Sequence, residues 1–189
     1  VVSNNEEVEG IIAVTDEIKP ESRAVIDELR RLGVETVMLT GDNHIPAQVV
    51  ADKLGITEVK AELLPENKAE AVKELAAKYG PVAMVGDGVN DAPALALAAV
   101  GISMGGAGSD TAIEASAIVV LNDRLETIPF LIALGRRTIS TIRFNTMLAV
   151  LTKLLFVGLA VAGISNLALA IFADVGVTVL VIFISLHLT

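Results

Sequence analysis

The sequence predicts an α/β unit built on a parallel sheet and followed by a hairpin of two transmembrane helices. Three observations predict it. Short β-branched runs alternate with amphipathic stretches through the first two thirds of the chain, the pattern of a parallel sheet covered on both faces. The last quarter is nearly free of charge: residues 144–189 hold only Lys153, Asp174 and His187 among titratable side chains. The whole 189-residue chain is 53% hydrophobic with a formal net charge of −9, and its mean hydropathy of +0.66 excludes a disordered or nucleic-acid-binding class. All of the acidic excess lies in residues 1–143, so no basic surplus is left for phosphate backbones.

In chain order, residues 10–14 read as a strand. Residues 20–32 form a helical pattern led by Pro20 and stopped by Gly33, with proline at the start and glycine past the end. Residues 34–39, 82–85, 100–103 and 118–121 are further strands. Helical periodicity marks residues 45–54, 66–79, 91–98 and 109–115. Residues 124–145, with Pro129 near their start, predict a helix running from the sheet into a membrane. From 147 to 164 the run is broken only by Thr152 and Lys153, and its length of about 27 Å approaches the hydrocarbon thickness. Ser165-Asn166 then interrupts, and residues 167–186 form a second span with Asp174 as the sole charge. A soluble core pair would keep a polar face, which these segments lack. Arg136, Arg137 and Arg143 precede the first span, so the positive-inside rule predicts a cytoplasmic soluble half.

The expected division is therefore residues 1–123 as the α/β domain, 124–145 as the linker helix and 146–189 as the membrane hairpin. The absence of cysteine excludes disulfides and thiolate metal sites within this stretch. Val1 stands first and no basic leader opens the chain, so a piece of a larger protein or a processed product is expected.

Two strand ends carry polar clusters. Thr40-Gly41-Asp42-Asn43 follows one apolar strand, and Gly86-Asp87-Gly88-Val89-Asn90-Asp91 follows another. Ligands of parallel sheets collect beyond such carboxyl ends. Between them in sequence, Leu64-Pro65-Glu66-Asn67-Lys68 places a cation at a helix start. Carboxylates at Asp87 and Asp91 suit Mg²⁺, and glycines allow close backbone approach to a phosphate. Thr40 offers a hydroxyl and Lys68 a compact charge, the groups that stabilise a phosphoryl in transfer. Taken one by one, Thr40 and Asp91 also read as helix caps and Lys68 as a solvated first-turn residue; the combination favours the chemical reading.

The strings Thr40-Gly41-Asp42, Pro65 to Lys68 and Gly86-Asp87-Gly88-Val89-Asn90-Asp91-Ala92-Pro93 resemble the phosphorylation domain of P-type ATPases, a branch of the haloacid-dehalogenase fold. The resemblance covers essentially the whole chain. It implies that an aspartate of an Asp-Lys-Thr-Gly motif accepts the γ-phosphoryl of ATP, that Thr40 and Lys68 hold the aspartyl phosphate, that Asp87 helps bind Mg²⁺, and that Asn90 and Asp91 complete the site. The acceptor motif is absent here. Asp16-Glu17-Ile18-Lys19 looks like the family's Asp-x-x-Arg segment with Lys19 in place of Arg. The implied partners are the rest of the same pump: actuator domain, nucleotide-binding domain and earlier membrane helices, in a bilayer that the resemblance makes the plasma (inner) membrane. Alone, this stretch is expected to be inactive.

Charges within a membrane helix cost about 3 kcal/mol on insertion scales, so Lys153 and Asp174 call for a role. Neutralising one another is the simplest, and the register permits a direct pair without requiring it. Asp174 and Thr178, four apart, share a helix face, as does Ser185. Lys in the first span with Asp174-Val175-Gly176 in the second resembles the zinc/cadmium/lead branch of heavy-metal P-type ATPases. That resemblance implies Asp174 as a transport ligand for Zn²⁺, Cd²⁺ or Pb²⁺ and Lys153 as its counter-charge. Carboxylate oxygen suits such ions better than Cu⁺, and the second span has no Met or Cys. Where that branch tends to have Asn and Arg, this chain reads Ile184-Ser185-Leu186-His187-Leu188. His187 and His44 read as surface residues. A copper or other cation pump, a membrane-anchored phosphohydrolase of the same fold and a non-catalytic fragment are the alternatives.

Overall fold

The computed structural model describes residues 2–3, 8–10, 17–87, 90–105, 110–163 and 167–186, with the backbone alone at residues 2, 3, 8–10, 110–112, 167, 169, 170 and 174. The chain divides into two compact units, Val1–Thr127 and Ile128–Thr189.

In the first unit, strands β1 (Val2–Ser3) and β2 (Val8–Gly10) pair antiparallel. The expected strand at 10–14 therefore begins differently, since Gly10 closes β2; residues 11–14 lie outside the described residues. So short a connection can join β1 to β2 only antiparallel, because a parallel pair needs a crossover of a dozen residues or more. Strands β3 (Val37–Leu39) and β4 (Glu58–Lys60) pair parallel, with Val37 opposite Glu58 and Leu39 opposite Lys60. Strands β5 (Ala83–Gly86), β6 (Val100–Met104) and β7 (Ile118–Val120) form a parallel trio in that order. The single continuous sheet expected from the sequence is, among the described residues, these two separate parallel ladders.

Strand β4 escaped the sequence reading because Glu-Val-Lys shows no apolar run. Its charged ends are instead matched by the helix that follows: Lys60 pairs with Glu74, and Glu58 with Lys78 and Tyr79.

The helices of this unit are α1 (Ser22–Arg31), α2 (His44–Leu54), α3 (Pro65–Tyr79), α4 (Ala92–Leu97) and α5 (Asp110–Ala115). Each lies within two residues of its expected ends. Among the described residues their apolar stripes contribute to two clusters. Ala51, Leu54 and Ile56 are buried with Ile26, Met38 and Val59 packed against them. Val72, Met84, Ala94 and Leu95 are buried together, and Leu39 of β3 packs against this second group. Leu39 and Met84 thus lie in one core just before the two polar strand ends, which ties both ladders to a common floor.

In the second unit, α6 (Thr127–Val161) is one helix of 35 residues. It merges the expected linker helix with the first span. Pro129 sits in its first turn, where no intrahelical N–H is lost, so the helix begins at Thr127 rather than at the proline. Among the described residues α6 is the helix long and apolar enough to cross a membrane. Helix α7 (Leu167–Leu186) occupies the range expected for the second span, and its apolar stretch among the described residues is the shorter Ile171–Leu186. The expected turn at Ser165-Asn166 lies outside the described residues.

Candidate active site

Strand β3 ends at Leu39 and delivers Thr40 to its carboxyl end. The Thr40 amide donates to the Lys60 carbonyl (3.0 Å) and its carbonyl accepts from the Leu63 amide (3.0 Å). The Thr40 hydroxyl donates to Asp42 Oδ2 at 3.0 Å and accepts from the Asp42 amide at 3.1 Å, a local side-chain turn. Thr40 is therefore no helix cap; Asn43 stands at the start of α2. The loop 61–64 folds back over this turn. Glu62, at φ +58°, donates its amide to the Asp42 carbonyl at 2.9 Å. A Cβ at Gly41 would lie 3.2 Å from the Leu63 carbonyl oxygen, so glycine permits the close fit.

Leu64 precedes the first turn of α3, with Pro65 at its start. Lys68, one turn in, donates from Nζ to Asp91 Oδ1 at 2.8 Å. The Lys68 and Asp91 side chains are only 16% and 13% exposed. Lys68 is thus not the solvated first-turn residue that it resembles singly. Asp91 stands at the N-cap position of α4 but makes no side-chain cap bond. Its carboxylate turns sideways to the lysine. Gly86 makes this possible: a Cβ there would lie 2.6 Å from Asp91 Oδ2. The glycine that the sequence suggested for approach to a phosphate serves here to admit a carboxylate.

A chain of bonds therefore links the three sequence motifs. The Thr40 turn holds Leu63, Leu63 leads into α3, and α3 carries Lys68 to Asp91, whose carboxylate covers Gly86. Asp42, Asp87 and Asn90 are exposed, so the arrangement has a charged, partly buried floor and an open polar rim. Gly88 and Val89 lie outside the described residues, as does Asp16. Lys19 is exposed and pairs with Asp123. Asp87, at the end of β5, is an exposed carboxylate. That fits Mg²⁺, which binds through one or two carboxylates plus phosphate and water. Among the described residues no cluster of three or more His, Asp or Glu could by itself hold a metal ion.

In the second unit Lys153 is exposed on α6. Asp174 lies within α7, with its side chain outside the described residues, and His187 lies outside them altogether. His44 opens α2 and is exposed. One residue escaped the sequence reading: Asn145, which is 8% exposed and donates from Nδ2 to Ser185 Oγ at 3.0 Å. An amide just before the apolar run that opens at Met147 was the available signal.

Comparison with known proteins accords with this architecture. A family model for haloacid dehalogenase-like hydrolases matches residues 1–99, and the chain belongs to that family. Within it, the chain is similar over nearly its whole length to heavy-metal P-type ATPases. It is 45% identical over 185 residues to a probable cadmium-transporting ATPase of Listeria monocytogenes, covering 97% of this chain and 26% of that protein. It is 44% identical over 181 residues to a zinc/cadmium/lead-transporting P-type ATPase of Escherichia coli, covering 96% and 24%. The crystal structure of a zinc-transporting PIB-type ATPase in the E2.Pi state superposes with a TM-score of 0.89 at 43% identity, covering 97% of this chain and 30% of that one. The chain spans about a quarter of the length of the curated relatives it matches.

Proposed function

We propose that this chain is the phosphate-handling and final membrane portion of an ATP-driven pump that exports divalent heavy-metal ions through an aspartyl-phosphate intermediate. The observation that carries the proposal is the Lys68–Asp91 ion pair. It joins two distant motifs at the strand ends, where a phosphoryl group would lie. An ammonium has three donors; with one given to Asp91, two serve phosphoryl oxygens. The Thr40 hydroxyl, now donating to Asp42, turns to the same oxygens when the aspartyl phosphate forms. Asn90 and Asp91 complete the rim and orient Lys68. Asp87 would hold Mg²⁺, which when bound neutralises phosphoryl charge. Positioning and electrostatics of this kind dominate phosphoryl transfer.

In the membrane, Asp174 is the transport ligand for Zn²⁺, Cd²⁺ or Pb²⁺, and Lys153 its counter-charge while the site is empty. The similarity to a zinc-transporting PIB-type ATPase, at 43% identity over 97% of this chain, supports a zinc-type cargo. ATP, the acceptor aspartate, the actuator and nucleotide-binding domains and the earlier membrane helices belong to the remainder of the pump. The assembly sits in a cell membrane, in bacteria the inner one, with the α/β unit in the cytoplasm.

The test uses the complete pump in proteoliposomes. Asp174→Ala is expected to abolish Zn²⁺-stimulated ATPase activity, and unchanged stimulation would refute the ligand role. Asp87→Asn is expected to lower phosphoenzyme formation from radiolabelled ATP by about 100-fold or more; normal labelling would remove Asp87 from the site.

A further inference from the structure

A hydrogen bond between the two helices of the second unit joins Asn145 of α6 to Ser185 of α7. Its direction is fixed by proton counting. Ser185 Oγ donates its one proton to the Val181 carbonyl at 2.9 Å, so toward Asn145 it can only accept. Asn145 therefore presents its NH₂ to the serine. Its Oδ1 is buried and has no hydrogen-bond partner among the described residues.

Such an acceptor is unfavourable in an apolar surrounding. A leucine at 145 would remove that penalty, so helix stability alone does not explain the amide. Helical register shows what it can do. Asp174 stands eleven residues before Ser185, about 20° away around α7 and roughly 16 Å along it. Lys153 stands eight residues after Asn145, about 12 Å along α6. In an antiparallel pair, a bond from 145 to 185 thus sets Lys153 and Asp174 within about one helical turn of the same level, with Asp174 on the clasped face of α7.

We propose that Asn145 and Ser185 form a polar clasp that fixes the rotation of α7 against α6 and so aims position 174. Asn145 and Ser185 are positioning residues. The inference rests on the transport role proposed for Asp174 and adds the device that orients it.

The experiment uses the complete pump in proteoliposomes and reads the Zn²⁺ concentration for half-maximal ATPase stimulation, with phosphorylation from inorganic phosphate as the control for folding. Asn145→Leu and Ser185→Ala are each expected to raise that concentration about three- to tenfold. The double variant should be no worse than either single one, and Ser185→Thr, which keeps Oγ, should behave as the parent. Melting temperature should hold or rise in Asn145→Leu. Unchanged half-saturation in both single variants, additive effects in the double, or losses that track a falling melting temperature would each overturn the clasp. Asp174→Ala separates the two ideas. If it leaves stimulation intact, the transport-ligand reading fails; if it abolishes stimulation while the other variants prove additive, the clasp alone fails.

Discussion

The two units solve the problem of burial in opposite ways. In the α/β unit the side chains most hidden from solvent are mainly apolar, with Leu95 1% exposed and packed with Val72 and Met84, while the equally buried Ser103 is hydrogen-bonded to Ser116. In the helical unit large apolar groups face outward, with Phe172 85% exposed, while the residue buried midway along α6 is the amide Asn145. Water drives the first arrangement. For the second, the lipid surrounding proposed above would remove any gain from hiding Phe172, and polar groups would become the ones that favour the interior. Hydroxyls on these helices follow the same logic: Thr138, Thr152 and Ser185 each donate to the carbonyl four residues earlier. The same twenty amino acids are thus sorted by the surrounding medium.

Core truncation tests this contrast most strongly. Leu95→Ala is expected to destabilise the α/β unit by about 3 kcal/mol, from lost transfer energy and a residual cavity. Phe172→Ala, a comparable loss of volume on α7, should shift the melting temperature of the detergent-solubilised protein little. Equal losses in thermal melting would mean that α7 is packed as a water-soluble core helix. Next in size is Gly86→Ala. The added Cβ would lie 2.6 Å from Asp91 Oδ2, so the carboxylate must swing away and weaken its bond to Lys68. A cost of about 1 to 3 kcal/mol is expected. It should largely vanish in an Asp91→Ala background, which a double-mutant melting series reads directly.

The smallest effect is a pH dependence on the surface of the α/β unit. A hydrogen bond from the Tyr79 hydroxyl, then one from Lys78, hold the Glu58 carboxyl below its ordinary value. A lowered carboxylate stabilises the fold above the unfolded value and loses that contribution as pH falls through the folded one. Lys78 is shifted upward, by Tyr79 first and Glu58 second; its contribution is present below the unfolded value and fades as pH rises through the folded one. Exposure keeps both contributions small. Glu58→Gln should therefore flatten slightly the acid limb of melting temperature against pH. An unchanged limb would remove the Tyr79 and Lys78 bonds from solution.

Much of this was legible in the sequence, for identifiable reasons. Helix α3 announces itself through Pro65 at its start and a regular apolar stripe at Ala71, Val72 and Leu75. Asp91 could be placed at a strand-to-helix junction, because Ala92-Pro93 sets the helix start. The sequence could not tell which way its carboxylate turns. N-cap and ion-pair roles use the same residue at the same position, and only the missing Cβ of Gly86 decides between them. Strand β4 was invisible because two of its three residues are charged and their partners lie 14 to 21 positions away. Asn145 was passed over because its significance depends on Ser185, forty residues distant. Periodicity reports which face is apolar; it does not report long-range polar partners.

Helix α6 begins at the last residue of the α/β unit and runs unbroken to Val161. Its lone proline is in the first turn, so nothing in its interior interrupts the ladder of backbone bonds. At 1.5 Å per residue it measures about 52 Å. A rod of that length acts as a lever arm: pivoting it by about 5° would sweep its far tip sideways by roughly 4 to 5 Å. Angular strain applied at one extremity is thereby converted, without slack, into displacement at the other.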